Sequence, residues 1–168
     1  RRSSKEVSFV RTGMLGEKVV ISGGAFVLPI IHNITQVGMR TLSITIKRGG
    51  DKSLITKDRM RAELVTEFFT KVPPDERAVA TAAQTLGNRT LDPEHLREVV
   101  QGRFADALGE VAAKMTLDEI QENRGQFVKE VTKIADASIG HTGLALETVS
   151  IISLDQTPIE QFNPANTF

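Results

Sequence analysis

Arg59-Met60-Arg61-Ala62-Glu63-Leu64-Val65-Thr66-Glu67-Phe68-Phe69-Thr70-Lys71-Val72 is the stretch on which the fold turns. It can be laid out in two ways. On a strand, Arg59, Arg61, Glu63, Glu67 and Lys71 share one parity and form a wet face. On a helix, Met60, Leu64, Val65, Phe68, Phe69 and Val72 form an apolar stripe. Periodicity admits both. Thr66, Thr70 and the Phe pair favour the pleat, and Lys57-Asp58 is placed to turn a hairpin back from 53–56.

Upstream, 7–12 and 18–22 read as short strands rich in Val, Ile, Ser and Thr, with Gly13 and Gly16 punctuating the connection. Gly23-Gly24 signals a turn. The longest apolar run, Ala25-Phe26-Val27-Leu28-Pro29-Ile30-Ile31, is bounded by glycine and broken by Pro29, which suits an edge strand or a loop packed on the core. From 39 to 47, Leu42, Ile44 and Ile46 alternate with Thr41, Ser43, Thr45 and Lys47, the pattern of a half-buried strand. Gly49-Gly50-Asp51 ends it.

Downstream, Pro73-Pro74-Asp75-Glu76 starts a helix with the stripe Val79, Ala82, Ala83, Leu86, and Gly87-Asn88 stops it. Asp92 caps a second helix with Pro93 at its first position and the stripe Leu96, Val100, Phe104, Leu108, Val111, Met115. Gly102 and Gly109 weaken that helix by about 1 kcal/mol each unless they serve close packing. Thr116-Leu117-Asp118-Glu119 is a capping box opening a third helix through Ile120, Phe127, Val131 and Ile134 to Gly140. Residues 144–154 are strand-like, and 158–168 read as a linker or frayed end. Segregated elements of this kind predict an α+β fold: an N-terminal antiparallel or mixed sheet, three helices, then a last strand.

At 168 residues the chain suits one domain with its own core. It has no cysteine, which excludes disulfides, thiolate catalysis, zinc-finger sites and S-acylation within it. Lys+Arg and Asp+Glu both number 21, so there is no basic excess to neutralise nucleic-acid phosphates. The charge is unevenly placed. Arg1, Arg2, Lys5, Arg11 and Lys18 outweigh Glu6 and Glu17 at the start, whereas 141–168 carry Glu147, Asp155 and Glu160 with no Lys or Arg. Composition favours solvated surface at both ends. The sharper reading is a basic flank of a membrane helix, in a chain that opens on arginine and is expected to be processed or excised. No run approaches the roughly 18 apolar residues that a membrane helix needs.

No nucleotide-binding, nucleophile-elbow or zinc-protease motif is present. His32, His95 and His141 are singletons, better suited to surface or capping roles than to metal ligation. Asp118, Glu119 and Glu122 complement a helix N-terminus. The run 25–31 has two uses, core packing or a hydrophobic face that dips into a bilayer interface beside a stronger anchor.

Three blocks, read in order, resemble the flotillins: Gly23-Gly24-Ala25-Phe26-Val27-Leu28-Pro29 with Leu42-Ser43-Ile44-Thr45-Ile46; Met115-Thr116-Leu117-Asp118-Glu119-Ile120 with Arg124 and Phe127; and Gly143-Leu144-Ala145-Leu146-Glu147. The likeness covers 7–157, and the nearest kin look like bacterial flotillin-like inner-membrane proteins. It implies a stomatin–prohibitin–flotillin (SPFH, Band 7) domain, held at a membrane surface and followed by a coiled coil. It implies 59–72 as strand and 144–154 as the last strand. It also implies a scaffold assembling into rings or cages, with no catalytic residues, no metal and no cofactor. Gly23, Gly24, Pro29, Thr116, Ile120, Arg124, Phe127 and Gly143 then carry structural roles. Acylated cysteines, used by eukaryotic flotillins, are missing here, so an upstream helix is expected to anchor the chain.

The expected organisation is a basic juxtamembrane segment over 1–6, the SPFH domain over 7–157 and a linker over 158–168 towards a coiled coil. Membrane-proximal contact falls to Arg1, Arg2 and Lys5 by charge, and to Phe26, Val27, Leu28 and Ile30 by hydrophobicity. Expected partners are membrane lipids, further copies through the flanking coiled coil, and membrane-protein clients; nucleic acid is not among them. The expected place is the plasma (bacterial inner) membrane, the domain itself being soluble; the cytoplasmic side is favoured, and the sequence leaves the side undecided. Two other readings stand. A small-ligand-binding or enzymatic α+β domain would show a concave pocket with perturbed titratable groups. A peptide-binding module would offer an exposed sheet edge.

Overall fold

A computed structural model describes residues 7–12, 18–21 and 33–156. In chain order the elements are β1 (Val7–Thr12), β2 (Lys18–Ile21), β3 (Asn33–Gly38), β4 (Leu42–Arg48), β5 (Leu54–Ile55), β6 (Arg61–Lys71), α1 (Glu76–Thr85), α2 (Pro93–Ala112), α3 (Leu117–Glu122), α4 (Arg124–Ile139) and β7 (Ala145–Gln156). Tight 3-10 turns lie at Gly50–Lys52, Gly87–Leu91 and Gly140–Thr142. The fold is α+β, strands first and helices after, with the last strand at the C-terminal side.

The ambiguous stretch is strand β6. Its burial alternates without a break: Ala62, Leu64, Thr66, Phe68 and Thr70 are buried, while Arg61, Glu63, Glu67 and Lys71 are half-exposed. A helical stripe would have put Phe68 and Phe69 on neighbouring positions of one face; the pleat sends them to opposite sides. The hairpin before it forms as its sequence suggests. β5 pairs antiparallel with β6, Leu54 opposite Ala62. Thr56 N donates to Met60 O at 2.9 Å, and Arg59 takes a left-handed φ of 67° to close the turn.

β6 is shared by β4, β5 and β7 in a four-stranded sheet. A separate three-stranded sheet has the order β2-β1-β3, antiparallel throughout. β3 has no counterpart in the sequence reading. Its register against β1, from Thr12 opposite Asn33 to Val7 opposite Gly38, supplies the order that its own weak apolar pattern does not.

The helix starts follow their caps. Asp75 accepts from Ala78 N at 3.0 Å and caps α1, so Pro73 and Pro74 precede the cap instead of filling the first turn. Asp92 Oδ1 accepts from Glu94 N at 3.0 Å ahead of α2. A methyl group at Gly102 or Gly109 would meet nothing within 4 Å, so neither glycine serves close packing. The expected third helix is divided, giving four helices rather than three. Asn123 adopts φ −133° and ψ 58°, and its amide donates to Glu119 O at 2.8 Å. Its own carbonyl then accepts from Gln126 N and Phe127 N, so one residue ends α3 and starts α4. A short polar residue followed by Gly125 makes this a weak point for a continuous helix.

By internal contacts the chain forms two compact units. The first takes the chain up to Leu42 with Phe69–Val100 and Asp136–Glu147. There α1 packs on β2, β3 and the turn at Gly140–Thr142, with Val37, Val79, Ala82, Ile139 and Leu144 buried. The second takes Ser43–Phe68, Gln101–Ala135 and the chain from Thr148. Phe68 and Phe104 stack in it with ring centroids 4.4 Å apart, and Ile44, Leu64, Leu108, Ile120 and Phe127 are buried with them.

Candidate functional site

The second sequence block is a joint between α3 and the hairpin of β5 and β6. Thr116 Oγ1 accepts from Glu119 N at 3.1 Å, and Glu119 Oε1 accepts from Thr116 N at 2.7 Å, completing the capping box. The hairpin turn reaches the same point. Lys57 N donates to Met115 O at 2.8 Å, and Asp58 Oδ1 accepts from Leu117 N at 3.2 Å and from the Thr56 hydroxyl. The Thr56 hydroxyl, then the Leu117 amide, hold the Asp58 carboxyl below its ordinary value. The Thr116 amide and hydroxyl do the same to Glu119.

These shifts have a signed consequence. A carboxyl whose folded pKa is depressed contributes stability above its unfolded pKa and loses it as pH falls through the folded pKa. The wild-type chain is therefore expected to lose stability from about pH 5 downward. Asp58→Asn is expected to be less stable at neutral pH and to show a flatter acid limb. Urea midpoints at stepped pH check this; identical limbs would contradict it.

The third block is a joint in the first unit. Gly143 holds φ 89°, and a Cβ there would lie 2.5 Å from Ala78 O and 2.6 Å from Ala82 N of α1. Ala145 O accepts from Thr70 Oγ1 at 2.7 Å, and Leu146 N donates to Asp136 Oδ1 at 2.9 Å. Glu147 receives Lys71 Nζ at 3.0 Å and Thr41 Oγ1 at 2.9 Å. The lysine first, then the Thr41 hydroxyl, pull its carboxyl down. In the first block the described part is β4, where Ile44 and Ile46 are buried and Ser43 Oγ donates to Glu67 Oε2 at 2.6 Å.

Ile120 and Phe127 are each 1% exposed, while Arg124 is exposed at the start of α4. Thr116, Ile120 and Phe127 thus lie in one unit and Gly143 in the other, and Arg124 is exposed. Gly23, Gly24 and Pro29 lie outside the described residues, as do Arg1, Arg2, Lys5, Phe26, Val27, Leu28, Ile30 and the stretch 158–168. Sequence reasoning missed the roles of Thr56, Asp58, Gly38 and Thr90. Gly38 N donates to Thr90 Oγ1 at 2.7 Å, and a Cβ on Gly38 would lie 2.4 Å from Thr90 O. A partner 52 residues away leaves no local signal.

Residues 3–163 match the SPFH domain / Band 7 family. The chain belongs to this family. Within it the chain is flotillin-like. It is 50% identical over its whole length to the flotillin family inner membrane protein YqiK of Escherichia coli, covering 30% of that protein. It is 29% identical over 154 residues to a flotillin family inner membrane protein of Synechocystis, covering 89% of this chain and 23% of the other. It is 28% identical over 136 residues to the flotillin-like protein FloT of Bacillus subtilis, covering 80% and 25%. The chain therefore spans less than a third of the length of these curated relatives.

Three surface hollows of this SPFH chain are lined by described residues. In the second unit, a groove of about 500 Å³ has Val111, Met115 and Ile134 in its floor and Glu119, Glu122 and Glu130 among its lining. A depression of about 290 Å³ in the same unit is lined by Lys47, Arg48, Lys52, Gln101 and Gly102. The first unit has a hollow of about 490 Å³ with Leu42, Leu91, Pro93 and Leu96. Among the described residues no three of His, Asp or Glu are placed to hold a metal ion. His95 Nδ1 stands 3.1 Å from Asp92 Oδ2 at the surface, and His141 lies in the turn before β7. No described helix is long and apolar enough to cross a membrane.

Proposed function

We propose that this chain is the non-catalytic, membrane-associated scaffold domain of a flotillin-like protein of the bacterial inner membrane. The match of residues 3–163 to the SPFH domain / Band 7 family carries the reading. Two of its relatives are named inner membrane proteins. The carboxylates held below their ordinary values cap helices and brace strands, which suits a scaffold better than proton transfer.

Arg1, Arg2 and Lys5 face anionic headgroups, each contributing about 1 kcal/mol near such a surface. Phe26, Val27, Leu28 and Ile30 enter the interface beside a stronger anchor, since so short a run does not span. The domain lies on the cytoplasmic side. A flanking coiled coil brings copies together and raises the local concentration of weakly associating domains, so small interfaces suffice. The clients are membrane proteins gathered in the same microdomain.

Vesicle flotation tests the lipid contact. The chain is expected to float with phosphatidylglycerol-containing vesicles. Arg1→Glu/Arg2→Glu/Lys5→Glu is expected to weaken that binding at least about tenfold, as loss of three cations near the surface requires. A triple variant that floats as well as the wild type would contradict it.

A further inference from the structure

We infer that two oppositely charged surfaces of the second unit bind one another between copies: the turn bearing Lys47, Arg48 and Lys52 of one copy seats on the groove rimmed by Glu119, Glu122 and Glu130 of the next. The inference rests on the proposal that the chain assembles, and it names the contact.

The turn projects from the end of β4 through Gly49 and Gly50. Lys47 and Lys52 are exposed and Arg48 is half-exposed. The three cations line one depression that no acidic residue lines, and none of them forms an ion pair among the described residues. Asp51 lies in the turn and Glu63 reaches it from β6, its Oε2 accepting from Gly50 N at 3.5 Å, so the three cations outnumber two carboxylates there. The groove has the opposite character. Lys114, the one cation among its lining residues, stands 3.8 Å from Glu110, and Lys57 acts on Glu119 from outside the lining, so the three lining glutamates still outnumber the cations beside them. Glu130 accepts from Gln126 at 3.1 Å and Glu119 from Thr116, so two of the three are already oriented. The floor of Val111, Met115 and Ile134 suits the methylene stems of lysine and arginine, whose charged heads reach the rim.

The chain as a whole carries no net charge, so these patches are a segregation of charge rather than a general excess. One chain does not join its own two patches. Gly102 beside the basic turn and Val111 in the groove stand on α2 about 14 Å apart along its axis and half a turn apart around it. The contact joins two unlike patches, and in the proposed head-to-tail arrangement it repeats from copy to copy into a ring or an open chain; a reciprocal pair of copies would stop at the dimer and give no ladder in the test below. Anionic lipid would satisfy the turn but leave the acidic groove unmatched; a second copy satisfies both.

The test uses the full-length protein in detergent, with any cysteine outside this chain replaced by serine; the chain itself has none. Lys52→Cys and Glu122→Cys combined in one polypeptide are expected to give a ladder of dimers, trimers and larger species on mild oxidation, and neither single variant is expected to do so. Lys47→Glu/Arg48→Glu/Lys52→Glu is expected to weaken assembly at least about tenfold, and adding Glu122→Lys/Glu130→Lys to restore it. Glu119 is left intact because its carboxylate caps α3. An assembled protein with no ladder and unaffected reversal variants would overturn the contact while leaving the scaffold reading in place. So would reversal variants that assemble normally and lose only vesicle binding, which would assign the turn to lipid. Loss without rescue also counts against the pairing. A full-length protein that never assembles overturns both readings.

Discussion

Gly143→Ala is expected to remove about 3 kcal/mol or more of folding stability. Two costs add. At φ 89° an L side chain sits in a left-handed conformation that costs about 1–2 kcal/mol. The new methyl group would also fall 2.5 Å from Ala78 O and 2.6 Å from Ala82 N. Both are backbone atoms of α1, so no side-chain rotation relieves the overlap, and overpacking of this kind costs about 1–3 kcal/mol. With total stabilities of about 5–15 kcal/mol, the variant would lose a large share of its margin. Urea unfolding followed by far-UV circular dichroism measures the loss, since the chain has no tryptophan or tyrosine to report by fluorescence. Gly109→Ala is the control: it lies inside α2 with nothing within 4 Å and is expected to be neutral or to gain up to about 1 kcal/mol. Equal midpoints for the two variants would contradict the reading of Gly143.

Phe104→Ala is expected to cost about 3–5 kcal/mol, the range for emptying a buried aromatic site. Phe104 and Phe68 are both fully buried, and their rings stack with an interplanar angle of 10°. The pair contributes about 0.5–1.5 kcal/mol beyond the area that each buries. A double-mutant cycle with Phe68→Ala should therefore show coupling, the double variant losing less than the two single losses combined. Strict additivity would mean that the rings do not support one another.

What could be read from sequence is what short-range chemistry decides. The capping box at Thr116 and Glu119, the Asp92 cap and the alternation of Leu42, Ile44 and Ile46 all formed as their spacing suggests, whereas Asp75, read as a first-turn acid, is the cap itself. For 59–72 periodicity was silent, and side-chain shape decided: threonines and adjacent phenylalanines sit better on a pleat. Long-range partners were not legible. β3 exists because β1 pairs with it. Gly143 carries no local sign that α1 will approach it, and Asp58 looks like an ordinary turn residue until Leu117 is brought to it. The break at Asn123 was faintly visible in Asn123 and Gly125, but the strong stripe of Ile120, Phe127, Val131 and Ile134 runs across it. Of the blocks that resemble the flotillins, the second and third turn out to be joints between elements, and the described part of the first is the strand β4.

The central claim is that this domain serves as one unit of a membrane-held assembly. Sedimentation velocity of the 168-residue chain and of the full-length protein in detergent tests it most directly. The chain alone is expected to sediment as a single copy of 18.4 kDa, and the full-length protein as a high-order oligomer. A full-length protein that sediments as a monomer would contradict it.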